Sequence, residues 1–476
     1  MKFRLNRSEM ILWIFTVISS VVISMVAFAE NTAPDYYKNL YLIPILYALV
    51  NIIFANFFEN IFNYKKSIVK IILFLTLYIR HSIAILFLVI GNYAATLNKL
   101  TYINVNKGIF LMSLEVFFIY LYVCFSNNGK NNSANVKDTI KIKNQLSNKH
   151  IKIFGICLLI CMFFCIYAYF TSSLVKNTYK PIWDSSLVGT DNYFLNRMTT
   201  AAGSKERIIY TLFCVIFDIT RILLPCWIIF FIRKSFGEKL PGAIIGLLMC
   251  IWQLSMIGNE TVFVLLVIVL NVLLIMKLYP KYEKLILKTM IIMGGCVFAY
   301  LFIWISGTIS NSKNALEGFS NMFQVYFPGI SNISAGFNVV DNNKINTLFF
   351  DLYEAIPFHN SLFGIEGDRL SVLYNNSNGV KYTITPCITQ LYHYFWYFAP
   401  FISILIVKCA YYYEKKLKNS KNVFSYISYS ILVIYLSMLI VCYYPTLILS
   451  RYLSTILPLI LISKYAGSKY DLIERK

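Results

Sequence analysis

Charged residues are scarce in this sequence, and acidic residues are the scarcest of them. Asp, Glu, Lys and Arg make up 14% of the 476 residues, against about a quarter in soluble domains. There are 22 acidic residues and 43 basic ones. With 58% apolar residues and a mean hydropathy of +0.63, the composition excludes an ordinary soluble domain and indicates a membrane protein.

Motifs for several kinds of chemistry are missing from the sequence as well. The four histidines are scattered without metal-ligand spacing, and there is no glycine-rich phosphate loop with a Walker lysine. The eleven cysteines lie in or beside apolar runs, which excludes a disulfide framework. We therefore expect no cofactor, no metal centre and no ATP-driven pump.

Apolar runs of about 20 residues recur along the chain, and each can cross the ~30 Å hydrocarbon core as a helix. Backbone amides in lipid must be satisfied internally, and the runs do not alternate as barrel strands do. We predict an all-α polytopic protein with about twelve transmembrane helices, the seventh and eighth joined by a tight hairpin at residues 258–260. The predicted spans are residues 10–29, 40–58, 68–92, 108–126, 153–171, 208–232, 241–258, 261–279, 289–307, 386–407, 424–443 and 446–464.

Basic residues set the predicted orientation. They concentrate between spans on the side that holds the N-terminus, which places both termini in the cytoplasm. The basic stretch 137–152 is interpreted as a loop beside acidic lipid rather than a nucleic-acid patch. The first run is followed by "SMVAFAENTA", which is similar to a secretory cleavage site, but an uncleaved first span is the favoured interpretation.

Two predicted outer segments are too long to be simple connections, residues 172–207 and residues 308–385. We call the second one the outer segment. Its aromatic and apolar pieces, 323–340 and 347–364, predict short amphipathic helices on the outer membrane surface. The chain thus divides into residues 1–307 with nine spans and the first loop, the outer segment 308–385, and residues 386–476 with three spans and a cytoplasmic tail.

Arginine is used differently from lysine. The chain has 33 lysines, mostly in predicted cytoplasmic segments, and 10 arginines. Because the planar guanidinium binds carboxylate or phosphate with two hydrogen bonds, arginines near the outer side predict an anion site there, for a phosphate in particular. Six arginines fall in spans or outer loops: Arg80, Arg197, Arg207, Arg221, Arg369 and Arg451.

Structural roles compete with this interpretation. Arg80 can pair with Glu115 of the next span, and Asp218 can pair with Arg221 three residues along the same helix. Arg80 and the adjacent His81 point about 100° apart on an α-helix, so we expect them to serve different neighbours. For His81, polar packing is favoured over proton transfer.

The stretch "YTITPCITQLYHYFWYFAPFISILI" (382–406) resembles the segment that ends the large outer loop of Wzy-type oligosaccharide repeat-unit polymerases, the O-antigen and capsule polymerase family. The likeness extends to the layout, with about a dozen spans, one moderate and one long outer loop, and arginines in both. Two departures stand out. Residues 397–400 have Tyr-Phe-Ala-Pro where the family often has Tyr-Phe-Gly, and residues 367–369 have an Asp inserted between the family's Gly and Arg.

The resemblance implies a GT-C-like fold and a metal-independent, inverting glycosyltransferase. Its implied donor is a glycan on undecaprenyl pyrophosphate, and its acceptor is a fresh lipid-linked repeat unit whose sugar hydroxyl attacks the anomeric carbon. Lipid pyrophosphate leaves, and the chain grows on the outer face. Implied partners are the undecaprenyl-pyrophosphate-linked oligosaccharide, membrane lipid, a chain-length regulator and a flippase, without nucleic acid.

The implied chemistry assigns roles to particular residues. The six arginines are candidates for stabilising the pyrophosphate leaving group. Candidates for the general base that takes the proton of the attacking hydroxyl are Glu354, His359, Glu366, Asp368 and His393, together with Glu260 at its hairpin. The aromatic side chains Tyr392, Tyr394 and Trp396 provide faces for sugar rings, or an interfacial belt.

Three alternatives remain open at the level of the sequence. A lipid-linked oligosaccharide flippase has similar length and charge, but we find no internal repeat, and the outer segment is unexplained under it. An O-antigen-ligase-type transferase is hardly separable from a polymerase. A metal-dependent GT-C transferase would use Glu30 and Asp35, five residues apart in the first outer loop.

Overall fold

A computed structural model of the chain describes residues 5–30, 33–63, 65–91, 100–128, 148–178, 204–254, 261–290, 327–356, 368–380, 385–420, 423–442 and 452–458, with single positions and pairs at 292, 316–317, 320, 323–324, 449–450 and 460–461. Every regular element in these residues is helical. The α-helices are α1 (Arg7–Ala29), α2 (Leu42–Ile53), α3 (Ile68–Tyr78), α4 (Ala84–Gly91), α5 (Tyr102–Asn128), α6 (Asn148–Thr171), α7 (Ser173–Thr178), α8 (Ser204–Phe236), α9 (Leu240–Leu254), α10 (Thr261–Leu278), α11 (Ile330–Ala335), α12 (Lys344–Glu354), α13 (Leu370–Asn378), α14 (Cys387–Phe395), α15 (Ala399–Lys418) and α16 (Val423–Cys442).

Six helical stretches within the described residues are long and apolar enough to cross a membrane: Arg7–Ala29, Ile68–Gly91, Tyr102–Ser126, Ile208–Arg233, Cys387–Lys418 and Ser425–Cys442. The predicted fold class is confirmed in its coarser form, an all-helical chain with membrane-length helices. Two further apolar helices, Gly155–Thr171 and Val267–Leu278, are shorter. Twelve spans and a GT-C-like fold stay predictions.

Some observed helices depart from the bounds predicted for the spans, and some predicted spans lie partly outside the described residues. The second predicted span, 40–58, is shorter than expected, because α2 ends at Ile53 and a 3₁₀ turn, Ala55–Phe58, follows it. The predicted hairpin at 258–260 lies outside the described residues, as does the part of the ninth predicted span at 293–307.

The chain forms two compact units, which are described separately. Unit 1 contains residues 1–139, 303–419 and 432–453, and unit 2 contains residues 140–302, 420–431 and 454–476. The described part of the outer segment therefore belongs to unit 1.

Unit 1 uses its few carboxylates to fix helix starts. α1 begins with a capping box, in which Asn6 accepts from the Glu9 backbone N–H and Glu9 accepts from that of Asn6. Glu414 on α15, which is 2% exposed, accepts the backbone N–H of Ile68 at the start of α3. A carboxylate at a helix N-terminus complements the helix dipole. These two acids therefore have a structural role in unit 1.

A π-helical turn, Ile79–Ile83, interrupts the membrane-length helix between α3 and α4. Three successive residues of an α-helix spread over about 200°, yet Arg80, His81 and Ser82 are all at most 1% exposed. The wider π turn is a feature found often at functional sites. It accompanies the complete burial of three adjacent polar residues in the middle of an apolar helix.

The short helix α11 lies inside unit 1, contrary to the expectation that this part of the outer segment lies on the membrane surface. All six of its residues are at most 3% exposed, and it packs against α5. Glycines permit this approach: a Cβ at Gly108 would come within 2.7 Å of Ser334 Oγ, and one at Gly336 within 2.0 Å of Thr389 Cγ2. The polar residues of α11 are therefore interior groups.

The helix α12, in contrast, has the amphipathic character predicted for the outer segment. Thr347 and Asp351 on one side are buried, whereas Ile345 and Phe349 on the other are 67% and 66% exposed. An exposed apolar stripe at helical spacing is typical of a helix lying at a membrane interface.

The tenth predicted span is broken. α14 ends at Phe395, Trp396 has a φ of 52°, and α15 restarts at Ala399. Such a φ is rare for a non-glycine residue. α15 alone, with 20 residues, is long enough to cross a bilayer, so α14 is an additional short helix.

The start of α15 lies deep along α5. Ser403 Oγ donates to Glu115 Oε1 at 2.9 Å. Measured along the helix axis, Glu115 lies about 20 Å from Tyr102, where α5 begins. Ser403 lies only about 6 Å from Ala399, where α15 begins, so α15 begins well below the start of α5. The end of unit 1 near Tyr102 is thus filled by the outer segment and α14 rather than by α15.

Unit 2 consists of α6 to α10 and the flanking residues named above. α6 packs against α8, and α9 packs against α8 and α10. Arg233 near the end of α8 forms an ion pair with Glu238, and its Nε donates to Leu278 O at 2.8 Å. This arginine has a local carboxylate partner at a helix end.

Candidate active site

A histidine and an aspartate from distant parts of unit 1 form a buried pair. His393 Nε2 lies 2.8 Å from Asp341 Oδ2, with the two side chains 6% and 5% exposed. His393 belongs to α14, and Asp341 precedes α12. The second oxygen, Asp341 Oδ1, accepts from the backbone N–H of Asn343 at 2.8 Å, so the carboxylate is fixed from two sides.

The charge state of Asp341 sets the tautomer of His393. Burial acts to raise the pKa of Asp341, but hydrogen bonds from His393, Thr347 and the Asn343 N–H together hold it below its ordinary value. An ionised carboxylate only accepts hydrogen bonds, so His393 Nε2 carries a proton. In the neutral imidazole the basic nitrogen is then Nδ1, and His393 is arranged as a carboxylate-oriented base.

A second buried carboxylate lies on α12 and binds three donors. Asp351 Oδ2 accepts from Gln390 Nε2 at 2.7 Å and from Tyr394 Oη at 2.6 Å. Asp351 Oδ1 accepts from the backbone N–H of Leu370 at 3.1 Å. The residue is 4% exposed. Asp351 therefore ties α12 to α14 and to the start of α13, and holds Tyr394 beside the candidate base.

Two other predicted residues form an ion pair next to this cluster. Arg369 Nε lies 3.0 Å from Glu354 Oε2, with the side chains 36% and 15% exposed. Glu354 ends α12, and Arg369 is the N-cap residue of α13. The adjacent Asp368 is exposed. The pair is half open to solvent, where its contribution to stability is small.

Aromatic rings gather at the end of α14. The rings of Tyr392 and Tyr397 lie 5.3 Å apart, and Phe337 lies 4.9 Å from Tyr392. Trp396 is 62% exposed, and Lys344 Nζ lies 5.1 Å from its ring centroid. The exposed Trp396 ring thus lies beside a cation, at the end of the helix that carries the carboxylate–imidazole pair.

Arg80 lies inside unit 1, paired with Glu115. Nη1 lies 2.9 Å from Glu115 Oε2, and both side chains are fully buried. The pair that the sequence left open is thus present. His81 serves other neighbours, as expected: its Nδ1 donates to Leu77 O at 2.9 Å, and its ring stacks on Tyr47.

The remaining predicted arginines and acids are distributed as follows. Arg221 belongs to α8 of unit 2, is 5% exposed, and lies over the Phe217 ring at 5.1 Å; its predicted partner Asp218 is also buried. Arg207 lies in the first turns of α8, and its side chain is outside what the structure describes. The residues Arg197, Glu260, His359, Glu366 and Arg451 lie outside the described part of the chain.

The structure thus brings part of the predicted set together. His393, Tyr394 and Glu354 lie on α14 and α12, which pack against each other, while Arg80 and Arg369 each have a separate carboxylate partner. Sequence reasoning missed Asp341 and Asp351. Their one sequence signal is that both acids lie in the outer segment, Asp341 just before a helix and Asp351 on the polar side of that helix.

No group of three His, Cys, Asp or Glu side chains in the described residues could hold a metal ion. The expectation of a metal-free protein stays a prediction. What the described site offers is a base with a defined tautomer, a tyrosine held by a carboxylate, and an aromatic rim.

Comparison with known proteins adds no family to this picture. No protein-family description, curated protein or solved structure matches the chain.

Proposed function

We propose that the protein is a membrane glycosyltransferase that joins undecaprenyl-pyrophosphate-linked oligosaccharide repeat units on the outer face of a bacterial cytoplasmic membrane. The resemblance of residues 382–406 to Wzy-type polymerases motivates this assignment. The observation that carries it is the buried Asp341–His393 pair at 2.8 Å, because that resembling stretch contributes one half of the pair.

In this proposal His393 Nδ1 accepts the proton of the attacking sugar hydroxyl while the oxygen bonds to the anomeric carbon of the donor. The bond from that carbon to lipid pyrophosphate breaks, and its electron pair leaves with the pyrophosphate. Asp341 holds the imidazole in the required tautomer and stabilises the imidazolium that forms. Asp341 is a positioning residue, and His393 is the catalytic base.

The aromatic rim supports the same assignment. Tyr392, Tyr397 and the exposed Trp396 lie at the end of the helix that holds His393, so a sugar stacked on them would be delivered close to the base. The amphipathic α12 holds Asp351, and its apolar side is suited to a membrane interface. A lipid-linked substrate would then approach the pair from within the membrane surface.

The experiment uses purified protein in liposomes with lipid-linked repeat units and without ATP. A ladder of longer lipid-linked products is the expected result. Transfer of glycan without a ladder would assign a ligase-type activity instead. Leaflet exchange without a new glycosidic bond would assign a flippase and overturn the proposal.

A further inference from the structure

The guanidinium of Arg80 has a hydrogen-bond acceptor on one side and, among the described residues, none on the other. Glu115 takes Nη1. The buried Nε and Nη2 atoms have no hydrogen-bond partner within the described part of the chain, and the residue is 0% exposed. These two atoms form the edge of the guanidinium that binds a second oxyanion with two parallel hydrogen bonds. A buried donor without an acceptor destabilises the fold, so this edge favours binding of an acceptor.

The N-terminus of α14 is a second group of donors without a capping side chain. Its N-cap residue is Pro386, which has no side-chain acceptor, and no side chain caps the first turn. The first intrahelical bond runs from Gln390 N to Pro386 O, so the N–H groups of residues 387–389 precede the helical ladder. Cys387 and Ile388 are fully buried. The positive end of this nine-residue helix is therefore kept from water.

Two hydroxyl groups flank that helix start. Thr385 Oγ1, just before the N-cap, and Thr389 Oγ1, in the first turn, are buried and lack a hydrogen-bond partner among the described residues. The residues are 2% and 4% exposed. Two unpartnered hydroxyls, an uncapped helix start and an open guanidinium edge all offer donors to one kind of ligand.

Arg80 and the start of α14 lie in the same part of unit 1. The helix α14 packs against α5, which carries Glu115, and against α15, which carries Ser403. Ser403, shortly after α14 in the chain, bonds directly to Glu115. Arg80 Nη1 also approaches Ile440 O at 3.5 Å. The guanidinium is therefore held between α5 and α16, and α14 packs against the same helix α5.

We propose that a phosphate group binds between the Nε–Nη2 edge of Arg80 and the N-terminus of α14. Helix N-termini bind phosphate through free N–H groups and the helix dipole, and Arg80 adds a bidentate contact. Glu115 is the opposing charge, and it is already neutralised by Nη1. Thr385 and Thr389 complete the donor set around the phosphate oxygens.

The identity of the phosphate as the pyrophosphate of a lipid-linked sugar rests on the proposed function, whereas the site itself does not. In that case the glycosidic oxygen of the leaving group is drawn toward donors already in place, which is the arrangement that stabilises developing charge most effectively. The π turn that buries Arg80 then has a role, since it directs this side chain inward.

The test measures binding in a phosphate-free buffer and a maltoside detergent, by calorimetry with inorganic pyrophosphate, farnesyl pyrophosphate and phosphatidylglycerol as probes. Wild-type protein is expected to bind at least one of them. Binding of inorganic pyrophosphate as tight as that of farnesyl pyrophosphate points to a free anion. Preference for farnesyl pyrophosphate points to a lipid pyrophosphate, and preference for phosphatidylglycerol to a membrane phospholipid.

The variants separate binding from folding. Arg80→Gln alone leaves Glu115 buried without a partner, so the informative variant is Arg80→Gln with Glu115→Gln. It is expected to fold and to bind about 10- to 100-fold more weakly. Glu115→Gln alone retains the guanidinium and should bind at least as tightly as wild type. The matched control is Arg233→Gln with Glu238→Gln, an Arg–Glu pair of unit 2, which should bind normally.

Two results would overturn the site: no probe binds wild type, or the Arg80→Gln, Glu115→Gln protein binds as tightly as wild type. Because no glycosyl transfer is needed, the outcome is independent of the proposed function. If the protein binds the probe through Arg80 but makes no ladder, the phosphate site is supported and the proposed polymerase reaction is contradicted.

Discussion

Asp351 and Tyr394 meet at 2.6 Å across two helices that are 43 residues apart in the sequence. Because Gln390 and the Leu370 N–H also donate to this carboxylate, one buried acid holds three parts of unit 1 together. The candidate base His393 adjoins Tyr394 in the chain, so the position of the base depends on this contact.

Replacing Asp351 with Asn is expected to destabilise the fold. The amide retains one acceptor for three donors, which should lower the free energy of unfolding by about 2–3 kcal/mol. Tyr394→Phe removes one donor and should cost about 1 kcal/mol. Denaturant unfolding in detergent measures both. Asp368→Asn, a change at an exposed acid nearby, is the control, and an Asp351→Asn protein as stable as that control would contradict the assignment.

The apolar side of α12 is expected to lie in lipid. Phe349→Asp should speed amide hydrogen exchange across residues 344–354 in lipid nanodiscs by about 10- to 100-fold, since burial of such a side chain is worth roughly 2–3 kcal/mol. Phe349→Leu keeps the apolar contact and should exchange at the wild-type rate. Equal exchange in both variants would show that this side of α12 faces water.

Gly336 is expected to tolerate no side chain. A Cβ there would lie 2.0 Å from Thr389 Cγ2, so Gly336→Ala should cost about 1–3 kcal/mol of stability by overpacking. Thr389→Ser removes the clashing methyl group and keeps the hydroxyl, and it should rescue Gly336→Ala in the same unfolding measurement. If the single variant unfolds like wild type, the close packing of the outer segment against α14 is wrong.

The stability of the site is expected to depend on acid pH through Asp341. Its folded-state pKa lies below the ordinary value, which is about 3.9 for an unperturbed Asp. The ionised carboxylate therefore adds stability that is fully present above the unfolded-state pKa and is lost as pH falls through the folded-state pKa. Melting temperatures of wild type and Asp341→Asn should differ at pH 6 and converge as the pH falls through the folded-state pKa of Asp341. A difference that is the same at every pH would contradict this.

The sequence predicted the elements of this fold better than the contacts within its site. Hydropathy located α1, α5 and α8 because a membrane span is a local property of about 20 residues. The Arg80–Glu115 pair was foreseeable since the two spans are neighbours in the chain and a buried charge needs a partner. Contacts made by Asp341 and Asp351 join residues 52 and 39 positions apart, and no local pattern encodes them.

The course of α11 was not predictable for a related reason. Its sequence, ISNISA, mixes small polar and apolar residues, which suits a surface as well as an interior. Burial becomes possible only through distant partners: Tyr37 Oη lies 2.5 Å from Ser331 Oγ, and Asn332 Nδ2 donates to Gln324 O. The π turn likewise has no sequence signature apart from the adjacent polar residues that it buries.

The most direct test of the account is the rate of ladder formation by reconstituted protein carrying His393→Gln, with His150→Gln as a histidine control outside the site. The expected loss of rate is about 10²- to 10⁴-fold for His393→Gln. Asp341→Asn should lose a comparable amount, because its amide can donate to Nε2 and so favours the His393 tautomer that is protonated at Nδ1. His150→Gln should leave the rate unchanged. A folded His393→Gln protein that builds the ladder at the wild-type rate would contradict the assignment of this pair as the catalytic centre.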